Sequence, residues 1–188
     1  MRAYVELMKL RVVELLIITT IPAMVLAARG LPSLELVLAT LIGGTLAAGS
    51  ANAFNMAVET DRDRLMTRTA SRPTAQQVIT KKNSYIFATS VGIISLAIFQ
   101  IFTNTLATLL TLFAIVFYVI GYTIILKPNT SQNIVWGGIA GCMPVLIGWA
   151  AISNTLPLTA WVLFLVIFFW TPPHFWALAI KYKDDYSA

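Results

Sequence analysis

Residues 43–63 read GGTLAAGSANAFNMAVETDRD. The stretch begins as a run of glycine, alanine and other small or apolar residues. It ends by collecting Asn52, Asn55, Glu59 and Asp63 at steps of three, four and four. On an α-helix those steps keep all four side chains on one face, while Asp61 points elsewhere. Gly43, Gly44, Gly49 and the alanines around them let a second helix approach closely, as small residues do inside a membrane. Asn52 and Asn55 still lie within the apolar run, where an amide without a partner is costly, so they face a partner or a cavity.

The rest of the chain supplies the surroundings this helix needs. Its 188 residues are 58% hydrophobic and only 11% charged, with a mean hydropathy of +0.79. A soluble domain of this size cannot hide so much apolar surface. Apolar stretches of about twenty residues, the length that crosses a bilayer core, accommodate it. Six can be read: Val12–Ala28, Leu34–Val58, Ser84–Phe102, Leu106–Leu126, Ile134–Ile152 and Leu158–Ile180. The expected fold is therefore all-α, a multi-pass transmembrane helical bundle, with residues 1–188 forming a single membrane-embedded domain.

The basic residues orient that bundle. With the N-terminus in the cytoplasm, Arg2, Lys9, Arg11, Arg62, Arg64, Arg68, Arg72, Lys81, Lys82, Lys127, Lys181 and Lys183 all fall on the cytoplasmic side, leaving only Arg29 opposite. That bias predicts that both termini are cytoplasmic. The net charge of +5 thus reports topology rather than nucleic-acid binding. The first segment is too long for a cleaved signal peptide and carries Glu14 and Pro22, so it is read as a helix. Cys142 is the single cysteine, which excludes an intrachain disulfide or a cysteine metal cluster.

Within the stripe, Glu59 and Asp63 are like charges one turn apart and need something cationic between them. Hard oxygen donors at this spacing suit Mg²⁺, which binds through one or two carboxylates, waters and substrate phosphates. Arg68 and Arg72 follow closely enough to clamp phosphate oxygens. Acids and arginines at the mouth of an apolar bundle suggest a lipid diphosphate. A plainer reading stays open: "DRDR" is a solvated connection with self-neutralising charge, and the arginines only follow the positive-inside bias.

Further along, Lys127 closes the fourth segment on the side where a diphosphate would lie. The fifth segment packs Gly137, Gly138, Gly141 and Gly148 around Pro144, which argues for close packing or for room left to a substrate. The chain ends FFWTPPHFWALAIKYKDDYSA, with Pro172 and Pro173 expected to kink the helix. His174, the single histidine, either satisfies a freed carbonyl or lines a substrate pocket, as a porphyrin neighbour or proton carrier. Asp184 and Asp185 emerge on the same side as Glu59 and Asp63.

Three stretches carry a family resemblance. NMAVETDRDRLMTRTASRP, from Asn55, resembles the first aspartate-rich motif of the UbiA-type intramembrane prenyltransferases. YTIILKPNTSQNIVWGGIAGCMPVLIGWAA, from Tyr122, and WTPPHFWALAIKYKDDY, from Trp170, are similar to the haem O synthase (protohaem IX farnesyltransferase) branch of that superfamily. The resemblance implies a bundle of about nine helices, of which this chain would hold about six, so it looks C-terminally truncated. It implies a prenyltransferase that moves a farnesyl group from farnesyl diphosphate to a vinyl group of haem B, with Mg²⁺ as cofactor. Asn55, Glu59 and Asp63 fall on the first acidic motif and Asp184 and Asp185 on the second. Glu59, Asp63, Asp184 and Asp185 would hold Mg²⁺, while Arg68, Arg72 and Lys127 fall on the diphosphate clamp and His174 lies toward the haem.

The implied setting is the inner (plasma) membrane, with a partner in haem A synthesis and no nucleic acid. Two departures stand out: Glu59 replaces the aspartate usual in the superfamily, and Pro128 and Asn129 occupy positions often basic in the branch. The alternatives are a UbiA-type enzyme acting on a phenolic quinone precursor, and an inactive fragment or non-enzymatic membrane protein. A transporter would often show two related halves, and none is visible.

Overall fold

The computed structural model describes residues 2–10, 13–66 and 69–181. Among them the regular structure is entirely helical. In chain order the elements are α1 (Arg2–Met8), α2 (Val13–Ala28), α3 (Leu34–Leu65), α4 (Lys81–Phe102) and α5 (Thr105–Val116). A π-helical stretch (Phe117–Leu126) and a last turn, α6 (Lys127–Asn129), continue α5, and α7 (Asn133–Ser153) and α8 (Leu158–Lys181) complete the set. Each of the six apolar segments is thus a helix. The stretches Leu34–Leu65, Lys81–Phe102, Thr105–Asn129 and Asn133–Ser153 are long and apolar enough to cross a membrane, and Ile17–Ala28 and Leu158–His174 add shorter apolar lengths. The protein is a membrane-embedded, multi-pass helical bundle.

Local chemistry sets the helix ends. Ser33, Thr80 and Asn104 each accept a hydrogen bond from the backbone N–H three residues on, at Leu36, Asn83 and Ala107. These are N-caps, which satisfy donors that a helix start leaves orphaned. Asn104 also donates through Nδ2 to the Ala150 carbonyl at 2.7 Å, tying the α4–α5 connection to the end of α7. Pro172 and Pro173 lie inside a helix that is continuous from Leu158 to Lys181.

The central pair is α3 with α4, and serine hydroxyls join them. Ser50 donates to the Ala88 carbonyl at 2.8 Å, Ser84 to Ala53 at 3.3 Å and Ser95 to Gly43 at 2.7 Å. Lipid tails are as apolar as leucine, so close packing and such hydrogen bonds hold membrane helices together. Gly43 is one point of closest approach: a Cβ there would stand 2.8 Å from the Phe99 ring, which is fully buried. Around this pair, Phe99, Ala107, Cys142, Leu146 and Phe164 belong to one buried apolar cluster drawn from α4, α5, α7 and α8. The large side chains left exposed on α4, such as Ile86, Ile93, Ile94 and Ile101, form a surface fit for lipid.

Two features go beyond the six expected helices. A short helix, α1, precedes the first span and packs against α3. The second half of the fourth segment winds as a π-helix rather than an α-helix. Both features bear on the site.

Candidate active site

The polar stripe keeps its helical register to the end of α3. Asn52, Asn55, Glu59 and Asp63 are all buried, with Glu59 at 5% and Asp63 at 3% exposure. Asp61 is on the opposite side, 72% exposed at its side chain, and pairs with Lys81 Nζ at 2.7 Å. Charges buried to this degree must be compensated.

The chain after α3 supplies one compensating cation by folding back. Thr69 Oγ1 donates to the Asp63 carbonyl at 3.2 Å, Thr74 Oγ1 to the Met56 carbonyl at 3.3 Å, and Arg64 Nε to the Ala75 carbonyl at 3.2 Å. These bonds lay the connection along the last turns of α3. They bring Arg72 Nη1 to 2.8 and 2.7 Å from the two Asp63 carboxylate oxygens and 3.8 Å from Glu59 Oε2. The cation that the like-charged pair requires is therefore Arg72.

The second cation comes from the fourth segment. Lys127 Nζ pairs with Glu59 Oε1. One turn earlier, Asn55 Nδ2 donates to Thr123 Oγ1 at 3.1 Å. Both contacts join residues 68 apart in sequence (123 − 55 and 127 − 59), so the two segments run side by side in one register here.

A third cation was not among the residues singled out from sequence. Lys9, half-buried in the turn between α1 and α2, shares the electrostatic environment of Arg72, Glu59, Lys127 and Asp63. Burial pushes its amine down to about 8; Arg72 and Lys127 add to the fall, while Glu59 and Asp63 oppose it. Its place is set by α3. Asn52 Nδ2 donates to the Met8 carbonyl at 3.2 Å, and a Cβ on Gly49 would stand 2.5 Å from the Met8 Cε. Lys9 itself has a left-handed φ of 49° and ends α1. The signals available in sequence were the glycine one turn before Asn52 and a lysine just ahead of the first span.

The other residues named from sequence divide. His174 is exposed on α8 and its ring centroid is 5.3 Å from that of Trp170. Arg68, Asp184 and Asp185 lie outside the described residues. Among the described residues, no group of three or more His, Cys, Asp or Glu is placed to hold a metal ion. The described donors are two carboxylates and one amide on a single helix face, all hard oxygen ligands. That set fits Mg²⁺, which needs only one or two carboxylates when substrate phosphates and water complete its shell.

The family model described as UbiA prenyltransferase family matches residues 16–188. The chain belongs to the UbiA prenyltransferase family. Among similar proteins, it is 54% identical to the protoheme IX farnesyltransferase of Renibacterium salmoninarum, over 100% of this chain and 59% of that one. It is 53% identical to that of Leifsonia xyli subsp. xyli, over 99% and 61%, and 55% identical to that of Frankia alni, over 100% and 65%. The chain spans about three-fifths of the length of the first two relatives. A UbiA homolog from Archaeoglobus fulgidus, solved bound to GPP and Mg²⁺, shares the fold, with a TM-score of 0.72 over 97% of this chain and 64% of that one. At 18% identity that likeness concerns the UbiA fold alone.

Proposed function

We propose that this chain carries the donor site of an intramembrane prenyltransferase, one that moves a farnesyl group from farnesyl diphosphate to a vinyl group of haem B. The products are haem O and diphosphate. The observation that carries the reading is the buried Glu59–Asp63 pair on α3, bracketed by Arg72 and Lys127. The relatives named protoheme IX farnesyltransferase, similar along the whole of this chain, support the choice of reaction.

In this reading Glu59 and Asp63, with Asn55, would hold Mg²⁺ together with Asp184 and Asp185. Mg²⁺, when bound, would neutralise charge on the departing diphosphate. Arg72 and Lys127, with Arg68, serve the phosphate oxygens. Arg72 and Lys127 are already seated beside the acids and have a short path to follow negative charge from carboxylate to diphosphate. The allylic C–O bond breaks with its electron pair going to the diphosphate, and the vinyl group of the porphyrin attacks the freed allylic carbon. Water then adds to the cation this leaves beside the porphyrin and loses a proton, giving the hydroxyl of haem O. Fixed cations in a water-poor cavity stabilise that leaving charge more than water could, which is the main rate lever. His174, beside Trp170, is assigned toward the acceptor. The positive-inside pattern supports a site at the cytoplasmic face of the plasma membrane, within one membrane domain. A partner that consumes haem O on the way to haem A fits this setting.

The reading is tested by mass spectrometry of haems extracted after incubating the purified protein with haem B, farnesyl diphosphate and Mg²⁺. A haem heavier by one hydrated farnesyl group is expected. Unaltered haem together with farnesylation of a hydroxybenzoate would reassign the acceptor. Neither product would contradict the proposed activity for this chain.

A further inference from the structure

A hydrogen-bond chain behind the acid pair constrains Asn55. Asn55 is 3% and Thr123 2% exposed, so neither amide nor hydroxyl can turn to water. The Thr123 hydroxyl donates its proton to the Tyr118 carbonyl at 2.9 Å. A threonine hydroxyl has one proton, so toward Asn55 it can only accept. Asn55 meets that demand by donating through Nδ2 at 3.1 Å. Rotating the amide by half a turn would set its carbonyl oxygen against a hydroxyl oxygen with no proton to give.

The π-helix is what commits that proton. The bond from Thr123 reaches back five residues, the step of a π-helix, whereas a threonine in an α-helix bonds back three or four. The Lys127 N–H keeps the same five-residue step to the Tyr122 carbonyl. The π segment therefore seats Lys127 on Glu59 and fixes the Thr123 hydroxyl in one element.

We infer that Thr123 is a positioning residue: through its bond to Tyr118 it holds the Asn55 amide with nitrogen toward the π-helix and oxygen toward the acid pair, as a hard ligand for a divalent cation. This rests on the proposed role of Asn55 at a Mg²⁺–diphosphate site. An amide held the other way would present N–H donors, which cannot ligate a cation.

The test is calorimetric binding of farnesyl thiodiphosphate, an unreactive donor analogue, with and without Mg²⁺, to the purified protein in detergent. Circular dichroism and thermal unfolding serve as fold controls. Thr123→Val keeps the shape and removes the hydroxyl; Thr123→Ser keeps the hydroxyl. Second-sphere partners are typically worth tenfold or more in metal affinity. Thr123→Val is expected to weaken Mg²⁺-dependent binding about tenfold and to leave metal-free binding unchanged. Thr123→Ser should bind like the parent protein, and Thr123→Val should add nothing in an Asn55→Ala background. Should Thr123→Val unfold the protein, Thr123→Ala and the serine rescue carry the same comparison. Undiminished binding by the hydroxyl-free variant would overturn the inference, as would an equal further loss in the Asn55→Ala background. Undiminished binding by Asn55→Ala itself is a separate outcome: it removes the assigned role of Asn55 and the inference with it.

Discussion

Arg72 meets both carboxylate oxygens of Asp63, at 2.8 and 2.7 Å, and stands 3.8 Å from Glu59. One guanidinium thus balances two buried acids that sit a helical turn apart. Removing it leaves Asp63 without its cation and Glu59 with Lys127 alone, and an unpaired charge in a poorly solvated place ordinarily costs several kcal/mol.

Arg72→Met is therefore expected to lower stability by on the order of 3 kcal/mol in metal-free buffer. Millimolar Mg²⁺ should restore much of that loss, because a divalent cation can take over the same two carboxylates. Thermal unfolding in detergent, with and without Mg²⁺, reads both effects. A variant that melts like the parent protein under both conditions would show that Arg72 does not carry this charge balance.

Lys9 gives a pH signature. Its amine titrates near 8 in the folded protein against 10.5 for an ordinary lysine. Below pH 8 folded and unfolded chains both bind the proton, and the penalty for burying the charge is fully present. Between 8 and 10.5 the unfolded chain binds more protons than the folded one, so this contribution to stability improves as pH rises. Lys9→Met should melt higher than the parent at pH 7, and the gap should shrink as pH rises above 8 and close only beyond about 10.5. A gap independent of pH would contradict the placement of Lys9.

Gly43 is a packing test. An added Cβ would stand 2.8 Å from the ring of Phe99, which is fully buried. Gly43→Ala should cost about 1–3 kcal/mol by overpacking, and Phe99→Leu should recover part of that loss. The readout is thermal unfolding of the two single variants and the double variant.

The serine contacts should matter less. Ser95 donates to the Gly43 carbonyl at 2.7 Å across the α3–α4 interface. Hydrogen bonds between membrane helices average roughly 0.6 kcal/mol. Ser95→Ala should therefore shift the melting temperature only slightly, and by less than Gly43→Ala.

Much of this was legible in the sequence, because in a membrane the apolar length of a segment nearly dictates a helix. The stripe Asn52, Asn55, Glu59 and Asp63 was readable for the same reason: its period is set by helix geometry. The partners were not. Arg72 reaches Asp63 through a connection that folds back on threonine hydroxyls, and no periodicity encodes that path. Lys9 is far from Glu59 in sequence and arrives only because Gly49 lets α1 approach α3. Thr123 reads as an ordinary small residue in an apolar run until a π-helical register, fixed by tertiary packing, gives its hydroxyl a direction.

The most direct measurement is binding of farnesyl diphosphate to the double variant Glu59→Gln with Asp63→Asn, with and without Mg²⁺, on protein shown to keep its helical content in detergent. Loss of the Mg²⁺-dependent part of binding is the expected result, since the amides keep the shape but not the charge that attracts the metal. Mg²⁺-dependent binding as strong as in the parent protein would mean that the buried acids at the end of α3 do not hold a metal–diphosphate, and the proposed donor site would fall.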